Sequence, residues 1–269
     1  MIARITADDD LDLGRHDPAE TFGWHKREAK RRFVDVRDEV AELQKVLFAE
    51  RTRALLVVLQ AMDAGGKDGV LRDVLTGINP AGVSVVSFRA PSEDELAHDP
   101  LWRVHAHTPA KGQIGVFNRS QYEDVLVVRV KGLVPDAVWR KRYDHIRHFE
   151  QMLVDEGTAI VKIYLNLSPE EQRQRFQDRI DSPDERWKFR RGDLDDRALW
   201  PEYMRAYREA LARTSTPDAP WYVVPADRKW VRNLTVVHIL RHALTRLHPA
   251  YPPPEPGLDG LEVGPLAEA

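Results

Sequence analysis

The string Ala61-Met-Asp-Ala-Gly-Gly-Lys-Asp-Gly69 gathers small residues, a lysine and two carboxylates in one turn. Small residues let several backbone N–H groups converge on one anion, and a helix starting there adds partial positive charge. A phosphate loop reads G-x-x-x-x-G-K-[ST] between a strand and a helix. Gly66 and Lys67 fit that pattern, whereas Ala61 replaces the first glycine and Asp68 the metal-binding hydroxyl. The predicted cradle is Ala64, Gly65, Gly66, Lys67, Asp68 and Gly69, with Lys67 reaching a bridging or terminal phosphate oxygen. Asp63 would repel phosphate unless a divalent cation lay between them, so it predicts a Mg²⁺ ligand. The plain alternative is a turn with a solvated lysine and an aspartate capping the helix.

A second constellation is Gly115-Val-Phe-Asn-Arg-Ser-Gln-Tyr-Glu-Asp124. Phosphate-loop enzymes place a metal-directed acid at such a strand end. Asn118 holds that place here, with Asp124 and Glu123 one turn further on. Arg119 offers a planar fork that matches phosphate oxygens. As an isolated string, Asn-Arg-Ser also reads as a helix cap.

These residues need a scaffold, and the chain supplies an alternating one. Strands are expected at Ala54–Gln60, Val83–Phe88, Gln113–Phe117, Ala159–Leu167 and Trp221–Pro225. Ala54–Leu59 is continuously apolar, as in a strand buried on both faces. Between the strands lie helical patterns. Phe33, Val36, Val40, Leu43 and Leu47 recur at three- and four-residue steps. Others cover Val70–Leu75, residues 136–155, Pro201–Arg213 and Arg228–Leu247, while Ser92–Glu95 reads as a capping box and Ser168-Pro169 as a helix start. Residues 182–200 are charged and aromatic without clear periodicity. Such alternation implies a mainly parallel sheet covered on both faces, with ligands beyond the carboxyl ends of its strands. Residues 1–24 read as an arm or loose cap, 25–248 as one domain, and 249–269 as a Pro-rich tail.

Composition sets outer bounds. Of 269 residues, 42% are hydrophobic and 31% charged, which is globular. Forty Lys and Arg against 43 Asp and Glu give a net charge of −3, arguing against a nucleic-acid partner. With no cysteine, disulfides, thiolate metal sites and cysteine nucleophiles are excluded. The start lacks an apolar secretory core, and the longest apolar run falls far short of the ~20 residues that span a bilayer. No membrane partner and a cytoplasmic location are expected.

Further ordered motifs accompany the two constellations: Asn79-Pro-Ala-Gly82, Phe88-Arg-Ala-Pro-Ser92, His98-Asp-Pro-Leu-Trp-Arg103 and Pro109-Ala-Lys-Gly112. They continue through Phe117–Val125, His145-Ile-Arg-His-Phe-Glu150, Trp187-Lys-Phe189 and Ala219–Trp230. Together they resemble the polyphosphate kinase 2 family over roughly residues 25–250. The resemblance implies a P-loop kinase-like three-layer α/β/α fold with a mainly parallel sheet and a helical lid. It implies phosphoryl exchange between inorganic polyphosphate and nucleotides, adenine first and guanine second, with Mg²⁺ or Mn²⁺. It also implies dimers or tetramers. Glu123, where other branches carry Asn, resembles the branch accepting both AMP and ADP.

The expected roles follow. Lys67 and the loop N–H groups hold the transferring phosphate, and Asp63 holds the metal with Asn118, Glu123 and Asp124 as helpers. Arg119 and Arg129 contact phosphates of nucleotide or polyphosphate. No general base is required, because the attacking phosphate oxygen is already largely anionic near neutral pH. A lid at about 180–196 would close Arg179, Lys188, Arg190 and Arg191 over the bridging oxygens, with Asp193 capping a lid helix or approaching the metal. Each of these charges also reads as a solvated face. A basic groove for a polyanion draws on Arg72 and Lys111, while Arg140, Lys141 and Arg142 read as helix surface. His105, His107, His145 and His148 lack an evident third ligand and read as core or surface. Trp187 and Phe189 are candidates for stacking a base, whereas Trp221 reads as core. The rivals are an ATP-dependent kinase using the same loop and a non-catalytic polyanion-binding module.

Overall fold

The computed structural model describes residues 3–5 and 11–264. Six strands, β1 (Ala3–Ile5), β2 (Ala54–Gln60), β3 (Val83–Ser87), β4 (Ile114–Asn118), β5 (Thr158–Asn166) and β6 (Trp221–Pro225), form one sheet in the order β1-β6-β5-β2-β4-β3. β2 to β6 are mutually parallel and β1 runs antiparallel to β6. The connection leaving β2 heads for one edge, and that leaving β4 returns across β2 to β5. The carboxyl ends of β2 and β4 therefore flank a crevice where a ligand fits.

Every residue of β2 is buried, and its side chains divide between two cores. Leu55, Val57 and Leu59 face α1 (Lys26–Glu50), α2 (Lys67–Val74) and α10 (Lys229–Arg246). Leu56 and Val58 face α6 (Asp136–Asp155) and α9 (Trp200–Thr214). The fold is thus the expected three-layer α/β/α arrangement. Val36, Val40 and Leu47 of the α1 stripe are fully buried. Trp221 is core, as its sequence context suggested.

Ser92 caps α3 (Glu93–Ala97) through a complete capping box, followed by the short helix α4 (Trp102–His105). α5 (Val127–Val130), α7 (Pro169–Asp181) and α8 (Gly192–Ala198) complete the helices. Ser168 caps α7 with Pro169 in its first turn.

Three features go beyond those expectations. Where described, the N-terminal segment is an arm bound to the sheet: Ala3–Ile5 pairs with β6, and Leu11 is buried. Asn166 Nδ2 donates to His16 O (2.7 Å) and Asp227 N to Pro18 O (3.1 Å), clasping the arm to the carboxyl ends of β5 and β6. Backbone pairing of this kind leaves no side-chain periodicity to read. Residues 182–200 contain a 3₁₀ turn at Arg186–Lys188 and α8, both too short to show a period. Short helices at 102–105 and 127–130 escaped for the same reason. Residues 249–264 are largely exposed and without helix or strand; 1–2, 6–10 and 265–269 of the expected arm and tail lie outside the described residues.

Candidate active site

The loop between β2 and α2 turns through two left-handed residues, Ala64 (φ 60°) and Gly66 (φ 93°). Gly66 is glycine for a second reason: a Cβ there would stand 1.9 Å from Nη1 of Arg232. Lys67 is buried and donates to Ala61 O (3.1 Å), folding its ammonium back over the loop. Burial first, then the neighbouring Arg119, pulls its pKa down to about 8 against the acids Asp63, Glu123 and Asp68. Arg119 itself sits at φ 62°, a left-handed conformation that costs a non-glycine residue about 1 kcal/mol or more and gathers at functional sites. Its Nη2 donates to Asp63 Oδ1 (2.6 Å). Burial opposes the Arg119 charge, yet Glu123 and Asp63 outweigh it and hold its pKa above the ordinary value.

At the end of β4, Asn118 Nδ2 donates to Asp68 Oδ1 (2.8 Å) and Ser87 Oγ (3.2 Å). Its Oδ1 is buried without a hydrogen-bond partner, as is Oδ2 of Asp124. A 3₁₀ turn, Gln121–Asp124, follows, capped by Ser120. Glu123 is raised above the usual carboxylate range by burial, against the pull of Arg119 and Lys67. Burial pushes Asp124 up to about 6, although Arg142 Nη1 donates to its Oδ1 (3.2 Å) and that charge works the other way. Beneath the turn, Gln121 Nε2 and Tyr122 OH both donate to Glu150 Oε1 (3.1 and 2.8 Å). Glu150 is in turn paired with Lys162, inside the core.

The structure therefore brings Asp63, Lys67, Asp68, Asn118, Arg119 and Glu123 together at the carboxyl ends of β2 and β4. Asp124 lies beside them, held from α6. Arg129 is elsewhere engaged: it pairs with Glu209 (2.6 Å) and stacks 4.5 Å over Trp139. Of the lid residues, Asp193 accepts from the Arg190 backbone (3.3 Å), and its pKa is raised by burial and by the field of Asp63. Lys188 pairs with Glu185 (2.6 Å), Arg190 and Arg191 are exposed, and Arg179 lies over Phe176. Arg72 is exposed beside Asp73. Lys111 is not brought to the site: it precedes β4, so it stands at the amino edge of the sheet, a strand's length from the loop. Arg142, read as helix surface, instead reaches Asp124.

Several site residues were missed. Gln172, buried on α7, donates to Asp63 O (2.9 Å) and accepts from Arg197 of α8 (2.9 Å), joining the loop to α8. Arg175 donates to Ala64 O (2.9 Å) and Ala226 O (2.6 Å). Tyr203 and Tyr207 of α9 face the acids: burial raises both hydroxyls, aided by Asp196 for Tyr203 and by Glu123 for Tyr207. Their i, i+4 spacing was the only signal available, and it equally describes a core stripe.

The oxygens of Asp63, Asp68 and the unpartnered Asn118 Oδ1 suit a hard divalent cation. Among the described residues no three His, Asp or Glu cluster tightly enough to cage a metal. Mg²⁺ does not need such a cage, since it keeps several waters and takes one or two carboxylates plus phosphate oxygens. The donor set fits that habit.

A family model for polyphosphate kinase 2 matches residues 23–251. The chain belongs to the polyphosphate kinase 2 family. The matched span runs from just before α1 to just past α10, leaving most of the arm and tail outside it. An AMP/ADP-polyphosphate phosphotransferase of Meiothermus ruber is 54% identical over 254 residues, covering 94% of this chain and 95% of that protein. An ADP-polyphosphate phosphotransferase of Rhodopseudomonas palustris is 44% identical, covering 94% and 92%. The crystal structure of polyphosphate kinase 2 from Arthrobacter aurescens TC1 superposes with a TM-score of 0.91 at 42% identity, over 95% of this chain and 92% of that one. Among the described residues of this family member, no helix is long and apolar enough to cross a membrane.

Proposed function

We propose that this protein transfers phosphoryl groups from inorganic polyphosphate to ADP and AMP, with Mg²⁺ or Mn²⁺ as the metal. The observation that carries this reading is the convergence of Lys67, Arg119 and Asp63 on a phosphate loop, in a chain whose 54% identical relative is named for AMP and ADP. Transfer between phosphates asks for in-line positioning and charge neutralisation rather than covalent catalysis. The N–H groups of Ala64 to Gly69 and the Lys67 ammonium hold the transferring phosphate and its neighbour. Arg119 presents its fork to the oxygens that gain charge, and Asp63 orients it.

Asp63, with Asp68 and Asn118 Oδ1, would hold the divalent cation, which when bound screens the phosphates from one another and from the acids. Glu123, desolvated next to Arg119, faces the acceptor and favours accommodation of AMP as well as ADP. Lys188, Arg190 and Arg191 close over the polyphosphate from the lid, 180–196, excluding water that would otherwise take the phosphoryl group. Arg129, held by Glu209 and Trp139, takes no part in this reading. Guanine nucleotides are secondary acceptors. The same reading includes a cytoplasmic location and a dimer or tetramer of identical chains.

The test is a product assay with Mg²⁺, long-chain polyphosphate, and ADP or AMP in separate reactions. ATP from ADP and ADP from AMP are the expected products. ATP from ADP alone removes the AMP assignment. No product with polyphosphate, but phosphorylation by ATP of a small acceptor, overturns the donor.

A further inference from the structure

Against the backbone of the phosphate loop, at Gly66 and Gly69, lies a charge that the roles above leave unused. Arg232, in the second turn of α10, is 2% exposed. Its Nε and Nη2 donate to Asn233 Oδ1 (3.0 and 2.8 Å), and Asn233 Nδ2 donates to Asp73 Oδ2 (2.7 Å). Among the described residues Arg232 forms no direct ion pair; the acid whose charge it feels, Asp73, reaches it only through Asn233 and is itself paired with Arg72. Its Nη1 occupies the place a side chain of Gly66 would take, and its Nη2 lies 3.0 Å from the corresponding point on Gly69. Nη1 of Arg175 comes within 3.5 Å of the same point on Gly66. Two guanidiniums therefore converge on the loop–helix junction, and burial first, then the neighbouring Arg175, works against the Arg232 charge.

A desolvated cation with no carboxylate in direct contact destabilises the chain that contains it. Where such a group persists, stability is being spent on a function, and here an anion is expected one peptide layer away. In a water-excluded setting that charge acts over several ångströms with little screening. We propose that Arg232 is a positioning residue for the polyphosphate donor: through the Gly66–Lys67 peptide and the start of α2 it makes the loop receptive to polyanion without touching it. The inference rests on the polyphosphate reading of the site and specifies what in this chain supplies the donor's affinity. Gly66 and Gly69 are then glycines because a guanidinium must approach the backbone at both.

Three full-length proteins decide it: wild type, R232M and R232K. The readouts are calorimetric binding of tripolyphosphate, KM and kcat with long-chain polyphosphate and ADP, and the melting midpoint of the free protein. R232M removes the charge and keeps most of the volume. It is expected to melt at or above the wild-type midpoint, bind tripolyphosphate about tenfold more weakly, and raise KM for polyphosphate by a similar factor. Its kcat at saturating donor stays within about threefold, and R232K retains most of the affinity. An R232M protein that fails to fold, or melts well below wild type while binding tripolyphosphate equally well, overturns the proposal in favour of a packing role. R232K as weak as R232M overturns it too, because shape rather than charge is then required. Wild type that binds no tripolyphosphate refutes the donor reading as well, whereas equal binding by wild type and R232M refutes this inference alone.

Discussion

Replacing Glu150 with Gln changes a charge and almost no volume, so its effect reports the electrostatics of the buried knot under the Gln121–Asp124 turn. Glu150 is 2% exposed and Lys162 wholly buried. Lys162 Nζ also donates to Tyr122 OH (3.0 Å) and Thr214 O (2.7 Å), and Trp221 Nε1 donates to Thr214 Oγ1 (2.9 Å). Burial already lowers the Lys162 pKa, and Glu150 is the first partner resisting that fall. In E150Q the ammonium has no counter-charge, and breaking a buried pair from one side typically costs about 3–5 kcal/mol. Deprotonation limits the damage. Discharging a lysine of ordinary pKa at pH 7 costs about 4.6 kcal/mol, which is the ceiling.

The sign follows from proton counting. A lysine with a depressed folded pKa binds fewer protons folded than unfolded, so stability rises with pH through that window. The E150Q deficit should therefore shrink by about 1.4 kcal/mol per pH unit once Lys162 is neutral, until about pH 10. Urea unfolding followed by tryptophan fluorescence at pH 7 and pH 9 measures both points, with Trp221 inside the knot as reporter. The double variant E150Q/K162M, which removes the lone cation, should recover most of the loss. A deficit below about 1 kcal/mol, a pH-independent one, or a double variant as unstable as E150Q would refute the reasoning.

Other outcomes are equally specific. K67A should reduce kcat/KM with polyphosphate by about 10³-fold; in wild type, KM for polyphosphate should rise above pH 8 as the Lys67 ammonium discharges, which a pH series on the free enzyme reads directly. D63N strips Arg119 of its partner and the candidate cation of a ligand, so the Mg²⁺ concentration for half-maximal activity should increase about 10-fold or more in a metal titration. E123Q should shift the ratio of AMP to ADP activity by about tenfold with little change in melting midpoint, since it preserves shape beside Arg119. D124N addresses a carboxyl whose folded pKa of about 6 exceeds its unfolded value: its stability contribution is complete below the unfolded pKa and is lost as pH rises through 6. Chemical denaturation at pH 7 should find D124N no less stable than wild type, while wild type is the more favoured of the two at pH 4.

The order of strands and helices was legible because β2 opens as a continuous apolar run, β4 and β5 are mostly apolar, and α1 carries a clean stripe. Lys67, Asp63 and Arg119 were legible because their residue types sit at strand ends, where chemistry concentrates. Arg175 and Arg232 were not: each reaches the loop from an element more than a hundred residues downstream, and nothing local distinguishes a buried arginine from a solvated one. Lys111 failed for a related reason. A basic residue near a strand reads the same at either end, and only the direction of the chain through the sheet shows that it lies opposite the loop. Arg129 and Arg142 exchanged expectations, since helix surface and site differ there by which acid, Glu209 or Asp124, the fold presents.

The antiparallel seat of β1 on β6 has a consequence for how copies of this chain can meet. Among the described residues, one border of the sheet ends in a strand of three residues, which offers a newcomer little ladder. The opposite border, β3, is five residues long and half open to solvent, with Val85 47% exposed. Among the described residues, a union that continues the sheet from one copy into another has one five-residue border per copy to use. Two such borders meeting exhaust the supply, so growth by that route closes at a pair and no filament follows.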